Sequence, residues 1–358
     1  MTSASSDSEH LPSVSSQTTG TRRRRNSSSD DELFGPRRKR RAVDPLVRTG
    51  KHVARTIYIK FHPLTILQNG LETLTQHENH EIDVLPSESD NKHWAIFSDL
   101  LRLIPDAKRR LTAADGDEYL IRLATAIEEG LSAGRSDDTN GLKKAVAEWV
   151  SSTEGKVAKN SKIGRGFHNK FTARLLTPPQ FDVNDPATLR DLRDEVLRPE
   201  VGEYPPFLYE NFTIDKDDLF KGLFKSELLL RPIQAAKHVL IGPSSAESLE
   251  TTNKSTRLGN AALNGMKEVS LPFIAYICAQ VRFALSSDEV FGQNAHSFDI
   301  YAFYRNILKM LRQEELADEI EEIRQYWDEV IFGHLGESKD GDELGTMARI
   351  LKQRTRAS

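Results

Sequence analysis

Apolar residues recur at helical rather than alternating spacing from Pro45 almost to the C-terminus, and this periodicity predicts an all-α protein. Val47, Val53, Ala54 and Ile57 open an amphipathic run that reaches Ile59 and stops before Pro63, and a second helix fits Pro63–Gln76. After a polar loop, Trp94, Phe97, Leu100, Leu101 and Ile104 repeat on one face up to Pro105. Tyr119, Leu120, Leu123 and Ile127 predict a helix over Asp115–Gly130, with Gly130 as its stop because glycine accepts the left-handed cap conformation. Leu142, Val146, Trp149 and Val150 make one more helix. Residues 46–152 are thus expected to form a small helical region.

Ser151–Lys162 is polar and basic and poor in large apolar residues, so 153–162 reads as a linker. A larger all-α domain is expected over 163–335. Leu189, Leu192, Val196 and Leu197 predict a short helix ended by Pro199, and Leu219–Leu228 predicts another that runs to Arg231. Pro232 suits the first turn of a helix over Ile233–Ile241, and Ser244–Gly265 reads as a long connection. Val269–Leu285 is apolar on most sides, the pattern of a central buried helix. Phe298–Leu311 and the amphipathic Glu314–Phe332 follow, and a C-terminal extension, 336–358, carries a short basic helix candidate around Leu344–Arg354.

Residues 1–45 break this pattern. They are dominated by Ser, Thr, Arg and Asp, cannot bury enough apolar surface to offset the entropy of ordering, and read as a disordered tail. The tail carries two basic clusters, Arg22, Arg23, Arg24, Arg25 and then Arg37, Arg38, Lys39, Arg40, Arg41, separated by the eleven residues Asn26–Pro36. That spacing resembles a bipartite nuclear localisation signal, so an import receptor is the expected partner of the tail and the nucleus the expected compartment. Ser27, Ser28 and Ser29 each have an acid three residues later, the pattern of an acid-directed kinase site, and phosphate there would oppose receptor binding by charge. A merely solvated Ser/Asp run is the competing reading.

Charge sharpens the division. The net charge is −4, but residues 1–50 hold ten Lys/Arg against six Asp/Glu, so the remainder carries −8. A second basic stretch, 154–174, holds six Lys/Arg against one Glu, whereas 313–343 holds twelve Asp/Glu against Arg324 and Lys339. The single cysteine, Cys278, excludes an intramolecular disulfide framework and a multi-cysteine zinc site. No run approaches the roughly 20 apolar residues of a membrane helix, so no membrane partner is expected.

Several strings occur together in one order: Arg165-Gly166-Phe167-His168, Ala173-Arg174-Leu175-Leu176, Tyr204-Pro205-Pro206-Phe207-Leu208-Tyr209, Gly222-Leu223-Phe224-Lys225-Ser226, Ile241-Gly242-Pro243-Ser244-Ser245-Ala246, and Gln280-Val281-Arg282-Phe283-Ala284-Leu285-Ser286-Ser287. With Phe298, Phe303-Tyr304 and Tyr326-Trp327-Asp328-Glu329-Val330-Ile331-Phe332, residues 160–335 resemble a fungal, mainly mushroom-lineage, family known only as a domain of unknown function. The resemblance implies no activity and no catalytic residue.

The strongest candidate for chemistry is Gly164-Arg165-Gly166-Phe167-His168-Asn169-Lys170. Two glycines free the backbone, and Arg165, His168, Lys170 and, further on, Arg174 are candidate contacts for an anion such as phosphate. The string lacks the spacing of a phosphate-binding P-loop, and a loop entering a helix with solvated charges competes with the anion reading. Phe167 and Phe171 among these cations suit nucleic acid superficially, but residues four apart also make one buried helix face. His77 and His80 are too close in sequence for the two-histidine helical metal motif. Cys278 sits among apolar neighbours and reads as an inert core thiol.

The expectation is therefore a nuclear, non-catalytic interaction protein that binds a protein partner or a nucleoprotein complex, with no cofactor and no metal. One alternative is direct nucleic-acid binding through 22–41 and 156–174. The other is an enzyme of unrecognised type with a pocket near Arg165 and His168.

Overall fold

The computed structural model describes residues 44–87, 91–154, 157–158, 161–230, 235–241, 259–292 and 298–340. The basic clusters at 22–25 and 37–41, most of the expected 244–265 connection and the 344–354 helix candidate lie outside these residues.

Among the described residues the fold is all-α, as the periodicity predicts. The helices are α1 (Pro45–Thr56), α2 (Pro63–Glu78), α3 (Lys92–Leu103), α4 (Ala107–Leu111), α5 (Gly116–Glu154), α6 (Lys170–Leu176), α7 (Pro186–Arg193), α8 (Glu227–Leu230), α9 (Ala235–Leu240), α10 (Asn260–Leu263), α11 (Leu271–Leu285), α12 (Ile300–Met310) and α13 (Ala317–Asp340). The one β-like feature among these residues is an isolated antiparallel bridge between Tyr209 and Leu223.

Starts follow from local chemistry. Pro45, Pro63 and Pro186 occupy first turns, where the missing N–H costs nothing. Asp44 accepts from Leu46 N at 2.8 Å, and Asp185 accepts from Ala187 N and Thr188 N, each satisfying N–H groups the helix cannot. Ser270 caps α11, and its hydroxyl also donates to Thr56 O at 2.9 Å, tying the end of α1 to the start of α11.

The spine is α5. The sequence predicts a stop at Gly130, yet the helix runs 39 residues, about 58 Å at 1.5 Å per residue. Gly130 lies where α1 crosses: a Cβ there would come within 2.4 Å of Val47 O and 2.5 Å of Gly50 Cα. An interior glycine costs a helix about 1 kcal/mol, and here it permits backbone-to-backbone packing that no other residue allows.

The central helix α11 packs across α5, α1 and α12. Thirteen of its residues are buried, as expected for a helix apolar on most sides. One hydrophobic cluster runs from Val53 through Phe97, Leu142, Phe207 and Tyr276 to Ile331, so the stretches 46–152 and 163–335 share a core. The stretch expected to be a linker contributes to it through Val157, and Lys162 of the same stretch is buried as well.

Two further helices differ from expectation. The helix predicted over Leu219–Arg231 is confined to Glu227–Leu230, because Gly222 and Phe224 adopt left-handed φ values of 74° and 58° and turn the chain. Trp327 Nε1 donates to Phe224 O at 3.0 Å and holds that turn. The helix predicted through Leu197 ends at Arg193, and left-handed Glu195, with φ 60°, turns the chain just after it.

Candidate functional site

The cation-rich string at 162–174 meets the C-terminal end of α11. The last carbonyls of a helix lack intrahelical donors and carry partial negative charge. Here they are met by buried cations. Lys162 Nζ donates to Phe283 O at 2.6 Å and to Asp288 O, and the ammonium lies 3.2 Å from the centre of the Phe283 ring. Arg165 donates to Ala284 O at 2.7 Å, to Lys143 O at 2.9 Å and to Ala158 O at 2.8 Å, which joins α11, α5 and the 157–165 stretch. Burial lowers the pKa of both cations, Lys162 to about 7.

The four predicted anion contacts therefore do not converge. Arg165 is directed into the fold, toward carbonyls. Lys170 and Arg174 lie exposed on α6, with Arg174 stacked 5.1 Å over the Phe171 ring. Only His168 of the four, with its neighbours Gly166 and Phe167, borders a cavity. Gly166 is required there: its φ is 61°, and a Cβ would sit 3.0 Å from Ser287 N. Asn169 then caps α6, accepting from Phe171 N and Thr172 N, while Thr172 Oγ1 donates to Gly166 O at 2.6 Å and fixes the turn.

The cavity measures about 240 Å³. One wall is the Gly166–His168 turn. A second comes from the end of α7 and the bent segment after it, including Leu192, Leu197 and Val201, and the third from the last turn of α11, Ser286–Asp288 and Phe298. The rim residues His168, Arg193, Glu195 and Arg198 are exposed.

At its base lies Arg282. The side chain is 4 % exposed, with its guanidinium carbon 3.4 Å from the Phe298 ring centre and 5.2 Å from that of Phe303. Among the described residues, no hydrogen bond and no ion pair engages its guanidinium. Burial pushes its pKa down to about 9, with the Asp288 carboxylate acting in the opposite direction. Of the other charges at the cavity, Arg198 donates to Glu195 Oε2 at 3.2 Å and Asp299 caps α12 by accepting from Ala302 N at 2.8 Å, while Arg193 and Asp288 also line it.

Sequence reasoning assigned Arg282 no role, because the helix around it read simply as core. A usable signal was present: Arg282 is the one charged residue in Leu271–Leu285. Cys278 is fully buried, and burial pushes its thiol well above its ordinary pKa. Among the described residues no group of three His, Cys, Asp or Glu side chains could hold a metal ion. No described helix is long and apolar enough to cross a membrane.

No curated protein and no solved structure matches the chain. A family match begins inside α5, further toward the N-terminus than residue 160, ends in α13 and takes in every residue around the cavity. Over residues 129–332 the sequence matches the family of unknown function DUF6698, and the chain belongs to that family.

Proposed function

We propose that this is a non-catalytic interaction protein that works in the nucleus, its tail carrying the address and its folded unit presenting the Arg282 cavity as the binding site. The ordered motifs shared with mushroom-lineage sequences support a fungal origin. The observation that carries the binding reading is Arg282 itself, a buried guanidinium that lines a cavity of mixed apolar and polar walls, which is recognition chemistry. The rings of Phe298 and Phe303 are its contacts, but among the described residues it has no ion-pair partner; a buried charge in that state is costly, and a bound group of opposite charge would offset the cost.

Direct nucleic-acid binding by the folded unit is less well supported. Of the cations in 156–174, Lys162 and Arg165 are consumed inside the fold, and Phe171 is buried rather than available to stack on a base. The tail supports an import receptor as partner. A fluorescent fusion is expected to concentrate in nuclei and to spread to the cytoplasm with Arg37–Arg41 changed to alanine; retained nuclear accumulation overturns the address. Anisotropy titration of DNA and RNA across a salt series, with both basic clusters changed to alanine, tests the rest. Salt-dependent binding that survives those changes would transfer the function to a nucleic-acid surface on the folded unit.

A further inference from the structure

We infer that the cavity beside Arg282 takes a monoanionic carboxylate carried on an apolar body, an assignment that rests on reading this cavity as the binding site. Four arginine or lysine side chains are buried among the described residues: Arg55, Lys162, Arg165 and Arg282. Arg55 is held by Asp138, and Lys162 and Arg165 by backbone carbonyls. Arg282 is the exception, and it is the one that faces a cavity. Its N–H donors meet no acceptor among the described residues and are not sealed off in the interior, so they open on the cavity, where an acceptor can reach them.

The geometry selects the kind of acceptor. Phe298 covers the face of the guanidinium, which leaves the in-plane N–H fork for a ligand. A carboxylate matches that fork with two parallel hydrogen bonds. Phe167, Leu192, Leu197 and Val201 give the cavity an apolar side, while charged residues such as Glu195 and Arg198 stand at its rim, so the ligand carries an aliphatic or aromatic body against that side. Asp288 also borders the cavity, and its charge opposes a dianion more than a monoanion. Inorganic phosphate, a mixture of monoanion and dianion near neutral pH and without an apolar part, is therefore disfavoured.

Calorimetric titration of the full-length chain with hexanoate, benzoate, phenylpropanoate, the neutral phenylpropanamide and inorganic phosphate tests this. Saturable binding of at least one carboxylate with a Kd of about 1 mM or tighter is expected. The amide is expected to bind about 10- to 100-fold more weakly than phenylpropanoate, because it lacks the charge that Arg282 requires. Arg282→Met should lose carboxylate binding. Val201→Trp, which fills the cavity and leaves the guanidinium in place, should lose it too and keeps the test valid if the arginine variant does not fold. Equal affinity for acid and amide, or phosphate binding at least as tight as the carboxylates, overturns the ligand class while leaving the cavity a binding site. Absence of saturable binding by every probe up to roughly 10 mM, or carboxylate binding unchanged in Val201→Trp, overturns the cavity's role itself.

Discussion

Arg55 and Asp138 form a two-pronged ion pair in the interior, Nε to Oδ2 at 2.7 Å and Nη2 to Oδ1 at 2.8 Å, with both side chains buried. Tyr276 donates its hydroxyl to the same carboxylate at 2.7 Å, Gln280 donates to that hydroxyl at 3.0 Å, and Thr139 donates to Gln280 at 3.0 Å. The chain of bonds joins α1, α5 and α11 at one point. Breaking one member leaves buried charge uncompensated. Asp138→Ala is expected to destabilise the fold by about 3–5 kcal/mol in a urea titration. The double change Arg55→Met with Asp138→Leu should recover most of that loss, and a double variant as unstable as the single one would count against the desolvation account.

The crossing of α1 and α5 depends on the absence of a side chain at Gly130. Gly130→Ala is expected to cost at least about 1–3 kcal/mol, because backbone atoms of Val47 and Gly50 stand where the methyl must go. Gly164→Ala is the control, since no atom lies within 4 Å of the added carbon. Similar thermal midpoints for the two variants would contradict the close approach.

Two buried bases make stability pH-dependent with the same sign. Burial, with Arg55 adding to it, lowers His52 from 6.5 to about 4. Between those values the unfolded chain binds more protons than the folded one, so stability rises with pH from about 4 to 6.5 and falls on acidification. Burial lowers Lys162 to about 7 against an ordinary 10.5, with Asp288 and Glu289 opposing the shift and Arg165 and Lys143 adding to it. Its contribution likewise rises with pH between about 7 and 10.5. Chemical denaturation at fixed pH steps should show a shallower acid slope in His52→Gln and a shallower alkaline slope in Lys162→Met; unchanged slopes would remove these groups from the account.

A fragment that starts at residue 160 lacks α5 and α1, the two helices that cover one side of α11. It is expected to lose cooperative unfolding and to bind a hydrophobic dye, whereas residues 44–358 should unfold in one transition. Cooperative melting of the shorter fragment would show that the shared core is dispensable.

Most helices were legible in the sequence because their apolar residues repeat at 3.6-residue spacing and their starts carry proline or a capping acid. The continuity of α5 was not, since a glycine that ends a helix and a glycine that admits a neighbouring helix look alike until α1 is placed against it. The turn at Gly222 and Phe224 was hidden in an apolar string that fits a helix equally well; the carbonyl that Trp327 captures is more than one hundred residues away. At the candidate site, Gly166-Phe167-His168 is the part of the predicted string that lines the cavity. The cations were misjudged because charge in a sequence is read as surface, whereas Lys162 and Arg165 bury their stems and find acceptors in carbonyls, which no side-chain pattern announces.

That burial has a consequence for proteolysis. Trypsin cuts after lysine and arginine, and the 162–174 stretch offers four such bonds. Those after Lys170 and Arg174 follow exposed side chains, while the specificity residues at Lys162 and Arg165 are occupied within the fold. Cleavage after Lys162 or Arg165 requires the C-terminal end of α11 to release them first, so the rate of those cuts serves as a clock for opening of the core around the cavity.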